Sequence, residues 1–190
     1  MQAVPDGASM GGDRMSNDYT KAKPDVLREI IREAEAYIDG QLSLATSADQ
    51  RASVMASVFA AAGTVIAAAL MTVAAGTADA QFVPIFTGGG VAAVLFVLGA
   101  SFCVKATLPV GFALPGSQPE SWLRDIKNRS PLAKSLAEQA ANFQDKIEGN
   151  RKVLVSNARW FKTGAWAGIS APIAGFAGWV AMLFIIRCSA

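Results

Sequence analysis

The chain has no histidine among its 190 residues, which removes the commonest general base and the commonest transition-metal ligand together. Its two cysteines, Cys103 and Cys188, form no CxxC and lie near the ends of apolar segments. No disulfide framework is expected there, and both read as unpaired thiols. Charge is missing from three long stretches: Ala52 to Ala75, Phe82 to Val104 and Thr163 to Ile186 contain no Asp, Glu, Lys or Arg. Without an acid or base inside them, they offer neither a proton relay nor a charged substrate site at a membrane midplane. Serine and threonine occur, but no partner base is suitably placed. No enzyme is expected, and with it no catalytic residue, no metal and no cofactor.

What is present is apolar. Hydrophobic residues make up 52% of the chain and charged residues 17%, too apolar a balance for an average soluble domain. The excess is concentrated in the three uncharged stretches. Each has the roughly 20 residues that a helix needs to cross about 30 Å of hydrocarbon. The expected fold class is therefore all-α, an integral membrane protein with three transmembrane helices at 52–75, 82–104 and 163–186. The first span begins behind more than fifty charge-dense residues, so it is not a cleaved signal peptide of the usual form.

The polar segments differ in sign. Residues 1–51 carry six Lys/Arg against nine Asp/Glu, and residues 105–162 carry ten against five. The connection 76–81 holds Asp79 and no Lys or Arg. Because positive loops stay inside, residues 1–51 and 105–162 are expected in the cytoplasm. The turn 76–81 and a tail at 187–190 then lie outside an inner, plasma membrane. Arg187 dissents, but it is one charge against ten and sits at a helix end where it can reach the headgroups. A formal charge of +2 does not by itself point to nucleic acid, and no nucleic-acid partner is expected.

Residues 1–23 lack apolar periodicity and read as a disordered leader. From Pro24, which suits the first turn of a helix, Leu27, Ile31, Ala34, Ile38 and Leu42 recur on one face. Residues 24–51 are thus expected to form an amphipathic helix running into span one. That span carries small residues at every fourth position, Ala52, Ala56, Ala60, Thr64, Ala68 and Thr72, a stripe suited to close helix packing in lipid. Gly88, Gly89 and Gly90 in span two lack the lysine of a phosphate loop and read as a packing or flexible site. Prolines and glycines after Lys105 make a loop, in which Phe112 and Leu114 are apolar, and Glu120 to Lys127 follows as a short helix. Ser130 before Pro131 signals an N-cap, and one long helix is expected from there into span three. Gly164 and Gly168 in that span have the small-residue dimer spacing.

A charged helix enters span one through the juncture ADQRAS, Ala48 to Ser53, and a short turn leads to span two. A long helical segment ending in NRKVLVSNARWFKTG, Asn150 to Gly164, enters the last span. This layout, over residues 25–187, resembles the small helical membrane effectors of bacterial antiphage systems, the transmembrane effectors of the Pycsar system and the related SLATT-type membrane domains. The resemblance implies a protein held quiet until a cyclic nucleotide, in Pycsar a cyclic pyrimidine nucleotide, triggers self-assembly and membrane disruption. This chain lacks the separate soluble nucleotide-binding domain of the longer members, so the cytoplasmic helices would carry the sensor.

Lipid and further copies of the chain are then the expected partners, with a cyclic nucleotide as ligand. Arg151, Lys152, Arg159 and Lys162 form a basic collar that anionic headgroups attract and that would also meet a nucleotide phosphate. Asp49 and Arg51 stand at the opposing juncture. The other reading from the same residues is a non-enzymatic accessory or scaffold subunit that docks a cytoplasmic partner.

Overall fold

The computed structural model describes residues 19–76 and 82–189. Four helices account for most of them: α1 at Pro24–Gly76, α2 at Val83–Ala106, α3 at Glu120–Lys127 and α4 at Leu132–Ser189. There is no strand among the described residues. α1, α2 and α4 are each long and apolar enough to cross a membrane, and the chain is an all-α, multi-pass membrane protein. The expected leader over 1–18 and the turn after Gly76 fall outside the described residues.

The starts of the helices follow from local chemistry. The carbonyl of Lys23 accepts the Leu27 N–H at 3.1 Å, which makes Pro24 the first helical residue, where its missing N–H costs nothing. At α4 the Pro131 carbonyl accepts from both Lys134 and Ser135. A residue whose carbonyl takes the first intrahelical bond is the N-cap, so Pro131 rather than Ser130 holds that position. Gly40, Gly149 and Pro172 all lie inside unbroken helices.

The chain divides into two compact units, Met1–Ala45 with Val110–Leu154, and Thr46–Pro109 with Val155–Ala190. Both the boundary after Ala45 and the one after Leu154 fall inside helices.

In the first, polar unit, Leu27, Ile31 and Ile38 of α1 pack on Leu136, Ala137, Ala140 and Phe143 of α4, with Trp122 of α3 against the same core. Burying each large side chain contributes about 1.5–3 kcal/mol. Tyr19 and Ala22 also pack there, so at least these residues of the expected leader are part of the fold. The apolar face ends on Gln41, which is buried, while Leu42 is half-buried. Spacing alternates between three and four residues along this seam.

In the second, apolar unit, the same alternation sets every contact face. Ala52, Ala56, Phe59 and Gly63 are buried on α1; Gly88, Ala92, Gly99 and Cys103 on α2; and Gly164, Gly168, Ala171 and Gly175 on α4. Such a period stays close to the 3.6-residue turn, so the seam drifts only slowly around the helix and a slight supercoil keeps it facing its neighbour. The every-fourth-residue stripe of α1 does not. A step of four overshoots the 3.6-residue turn, so from Ala60 onward, at Thr64, Ala68 and Thr72, the stripe has rotated to the exposed side.

Glycine is required where backbones touch. A Cβ on Gly88 would stand 2.5 Å from the Gly175 carbonyl oxygen, and one on Gly164 would stand 2.8 Å from that of Gly99. The Gly164 and Gly168 spacing is thus used within the chain, against α2 and against the ring of Phe59. Gly89 faces Leu70, and Gly90 has open space. Large side chains such as Val65, Met71, Ile173 and Phe184 are more than half exposed, which suits a surface solvated by lipid rather than water.

Candidate functional site

In the polar unit the chain between α2 and α3 turns at Gly116, whose φ of +83° favours glycine. Side chains from α4 fasten this segment by its backbone. Asn150 Oδ1 accepts the Ala113 N–H at 2.8 Å, and its Nδ2 donates to the Ala113 carbonyl at 3.0 Å. Lys146 Nζ donates to the carbonyls of Gly116 at 2.6 Å and Leu114 at 3.3 Å, and lies 4.9 Å from the centre of the Phe143 ring. Gln139 Nε2 donates to Ser117 Oγ at 3.0 Å. These three residues lie four and seven apart on α4, hence on one helix face.

α3 closes the other side. It ends in a Schellman arrangement: the Ser130 N–H bonds to the Asp125 carbonyl and the Arg129 N–H to the Ile126 carbonyl, with Arg129 at φ +50°. The turn sends the chain into α4 so that α3 lies along its first turns. Trp122 faces the core, and Leu123 and Ile126 are exposed.

Between the fastened segment, α3 and α4 lies a cleft of about 440 Å³, within the range of small-molecule sites. Its charges balance: Arg124 and Lys146 against Asp125 and Glu138. Arg124 stands 3.8 Å from Glu138, and Lys134 approaches the same carboxylate at 4.0 Å. Hydroxyls of Ser117 and Ser121 and the amides of Gln118 and Asn142 complete the polar wall, with Trp122 and Phe143 supplying aromatic surface.

The six residues singled out from sequence lie elsewhere. Arg151 and Lys152 are exposed on the polar unit's part of α4. Arg159, Lys162 and Arg51 are exposed and Asp49 is half-buried in the apolar unit. None of the six lines the cleft, and none of their side chains forms an ion pair or a hydrogen bond with another described residue, although the Arg159 carbonyl accepts the Thr163 hydroxyl at 3.0 Å. Near Arg159, however, Trp160 stacks on Phe102 with ring centres 5.7 Å apart, and Lys105 Nζ lies 3.9 Å from the Trp160 ring. This cation–π contact joins the end of α2 to α4.

The cleft residues carry no motif, which is why sequence reasoning passes over them. The available signal is the recurrence of Ser, Gln and Asn at 117, 118, 121, 135, 139 and 142, in the loop, on α3 and on the first turns of α4. When the chain was compared with protein-family models, curated proteins and solved structures, none matched.

Proposed function

We propose that this chain is a membrane effector of a bacterial antiphage system, one that a cyclic nucleotide signal drives to self-associate and to breach the inner membrane. Residues 1–51 and 105–162 lie in the cytoplasm and the C-terminus outside. The ten Lys/Arg of 105–162 against none in 76–81 support that orientation.

The observation that carries the reading is the continuity of α1 and α4. Each contributes to both units, and neither has a linker where it passes from one to the other. A change in how α1 and α4 pack in the polar unit is therefore handed to two of the three spans as a helix rotation or shift. The spans suit such a response, because their backbones approach one another most closely at glycines, Gly88 against Gly175 and Gly99 against Gly164.

The test is inducible expression in bacteria loaded with a potential-sensitive dye, with a nucleotide cyclase co-expressed or omitted. Depolarisation that depends on the cyclase supports the reading. A membrane that stays polarised in both conditions removes it, and a stoichiometric partner of another sequence copurifying in mild detergent favours the accessory-subunit reading.

A further inference from the structure

We infer that the outward face of α4, where it enters the third span, is a binding site for an anionic phospholipid. The phosphodiester sits on Arg159 and Lys162, and an acyl chain lies along Trp166, Ile169 and Ile173. These five residues follow one another at steps of three, four, three and four, which keeps them on one side of a helix. The seam residues of the same stretch, Gly164, Gly168, Ala171 and Gly175, are buried on the opposite side. All five site residues are exposed, and Trp166, Ile169 and Ile173 each by more than half. An exposed apolar stripe on a membrane-crossing helix is solvated by lipid tails, so the charges at its head are met by lipid headgroups.

Charge selects this face and this ligand. Among the described residues of the apolar unit, one end carries Arg51, Lys105, Arg159 and Lys162 against a single carboxylate, Asp49. Arg51 has Asp49 two residues away on its own helix, and Lys105 Nζ rests 3.9 Å from the Trp160 ring. The side chains of Arg159 and Lys162, neighbours at a spacing of three, make no ion pair, hydrogen bond or ring contact with a described residue. Two like charges so placed repel each other. A phosphodiester between them replaces that repulsion with charge-assisted hydrogen bonds from the guanidinium fork and the ammonium donors. Length agrees: Lys162 and Ile173 are eleven residues apart, about 16 Å at the helical rise, and one leaflet is half of a core of about 30 Å. A free phosphate gains nothing from Ile169 and Ile173, and a zwitterionic lipid brings its own cation against Arg159 and Lys162.

The test uses the full chain reconstituted in phosphatidylcholine vesicles that also contain a dibrominated lipid, either phosphatidylglycerol or phosphatidylcholine, with quenching of tryptophan fluorescence as the readout. The expected result is a preference of about fivefold for the phosphatidylglycerol. Arg159→Gln and Lys162→Gln should each lower that ratio at least about twofold, and the double variant should bring it to about one. Arg159→Lys, which keeps the charge, should retain most of it. Arg51→Gln removes a like charge from the same end of the unit and should leave the preference in place. Trp166→Phe should remove most of the difference between the two lipids, since Trp160 and Trp179 turn toward α2. The substituted positions are exposed, and unchanged far-UV circular dichroism shows that each variant folds.

Equal quenching by the two lipids overturns the assignment, and so does an equal loss of preference in Arg51→Gln and in the two α4 variants, which would mark a diffuse field rather than a site. Glycerol 3-phosphate added at millimolar concentration and matched ionic strength should change nothing. Competition by it would show that a soluble phosphate suffices and would remove the lipid. The site stands or falls by these outcomes whether or not the chain breaches a membrane.

Discussion

The side-chain amide of Asn150 satisfies both backbone groups of Ala113, accepting from its N–H at 2.8 Å and donating to its carbonyl at 3.0 Å, while Asn150 itself is 1% exposed. An asparagine is the smallest side chain that can pair with a peptide unit in this two-sided way. Asn150→Leu is expected to strand both groups and destabilise the polar unit by about 2 kcal/mol. The expected signs are a lower midpoint in thermal unfolding by far-UV circular dichroism and faster proteolysis between Thr107 and Pro119. Asn150→Asp keeps the acceptor and should fall between the two. Proteolysis unchanged in the leucine variant would show that the segment is held by other contacts.

The helix seam in the apolar unit predicts a graded glycine series. Gly88→Ala and Gly164→Ala meet backbone carbonyls that cannot move aside, so each should cost about 1–3 kcal/mol in detergent unfolding. Gly90→Ala meets nothing within 4 Å and should be neutral or stabilising by up to about 1 kcal/mol, since alanine is the better helix former. Gly168→Ala collides with the Phe59 ring, and Phe59→Leu should recover part of its loss. Equal effects at positions 88 and 90 would contradict the packing.

Arg129 holds the left-handed position of the α3 cap with φ +50°, where a side chain adds strain that glycine does not. Arg129→Gly should stabilise the polar unit by up to about 1 kcal/mol, read as a raised unfolding midpoint. A lowered midpoint would mean that the Arg129 side chain contributes more than its backbone conformation costs.

On α1, Arg32 donates to both carboxylate oxygens of Glu29. The hydrogen bond from Arg32 holds the Glu29 carboxyl below its ordinary value, and the same contact raises Arg32. A depressed carboxylate contributes stability above its unfolded value, and that contribution is lost as pH falls through the folded one. Glu29→Gln should therefore lower stability slightly at neutral pH, a difference that vanishes as pH falls below the usual carboxylate range. The pair is fully exposed, so added salt should shrink the difference. A circular dichroism titration at two salt concentrations checks both points.

Cys188 is exposed and Cys103 buried, which makes the native thiols a topology reporter. The proposed orientation predicts that a membrane-impermeant maleimide labels intact spheroplasts at Cys188 and that Cys188→Ser abolishes the signal. Labelling only after lysis would reverse the orientation.

The sequence by itself determined the fold class and the three spans, because charge-free stretches of helix length have one stable arrangement in lipid. It also exposed the helical face of Leu27, Ile31 and Ile38, since burial of one side of a helix imposes its period directly. Tertiary structure decided everything that depends on which helix meets which. It showed that Gly164 and Gly168 serve α2 and Phe59 within the chain, and that the stripe beyond Ala56 turns outward. It also lined the cleft with residues other than those of the basic collar. Ser117, Asp125 and Asn142 are unremarkable along the chain. They become neighbours because a left-handed residue at 129 folds α3 onto α4, and because Asn150 and Lys146 pin the preceding segment by its backbone, an interaction that needs only an amide and an ammonium at the right depth.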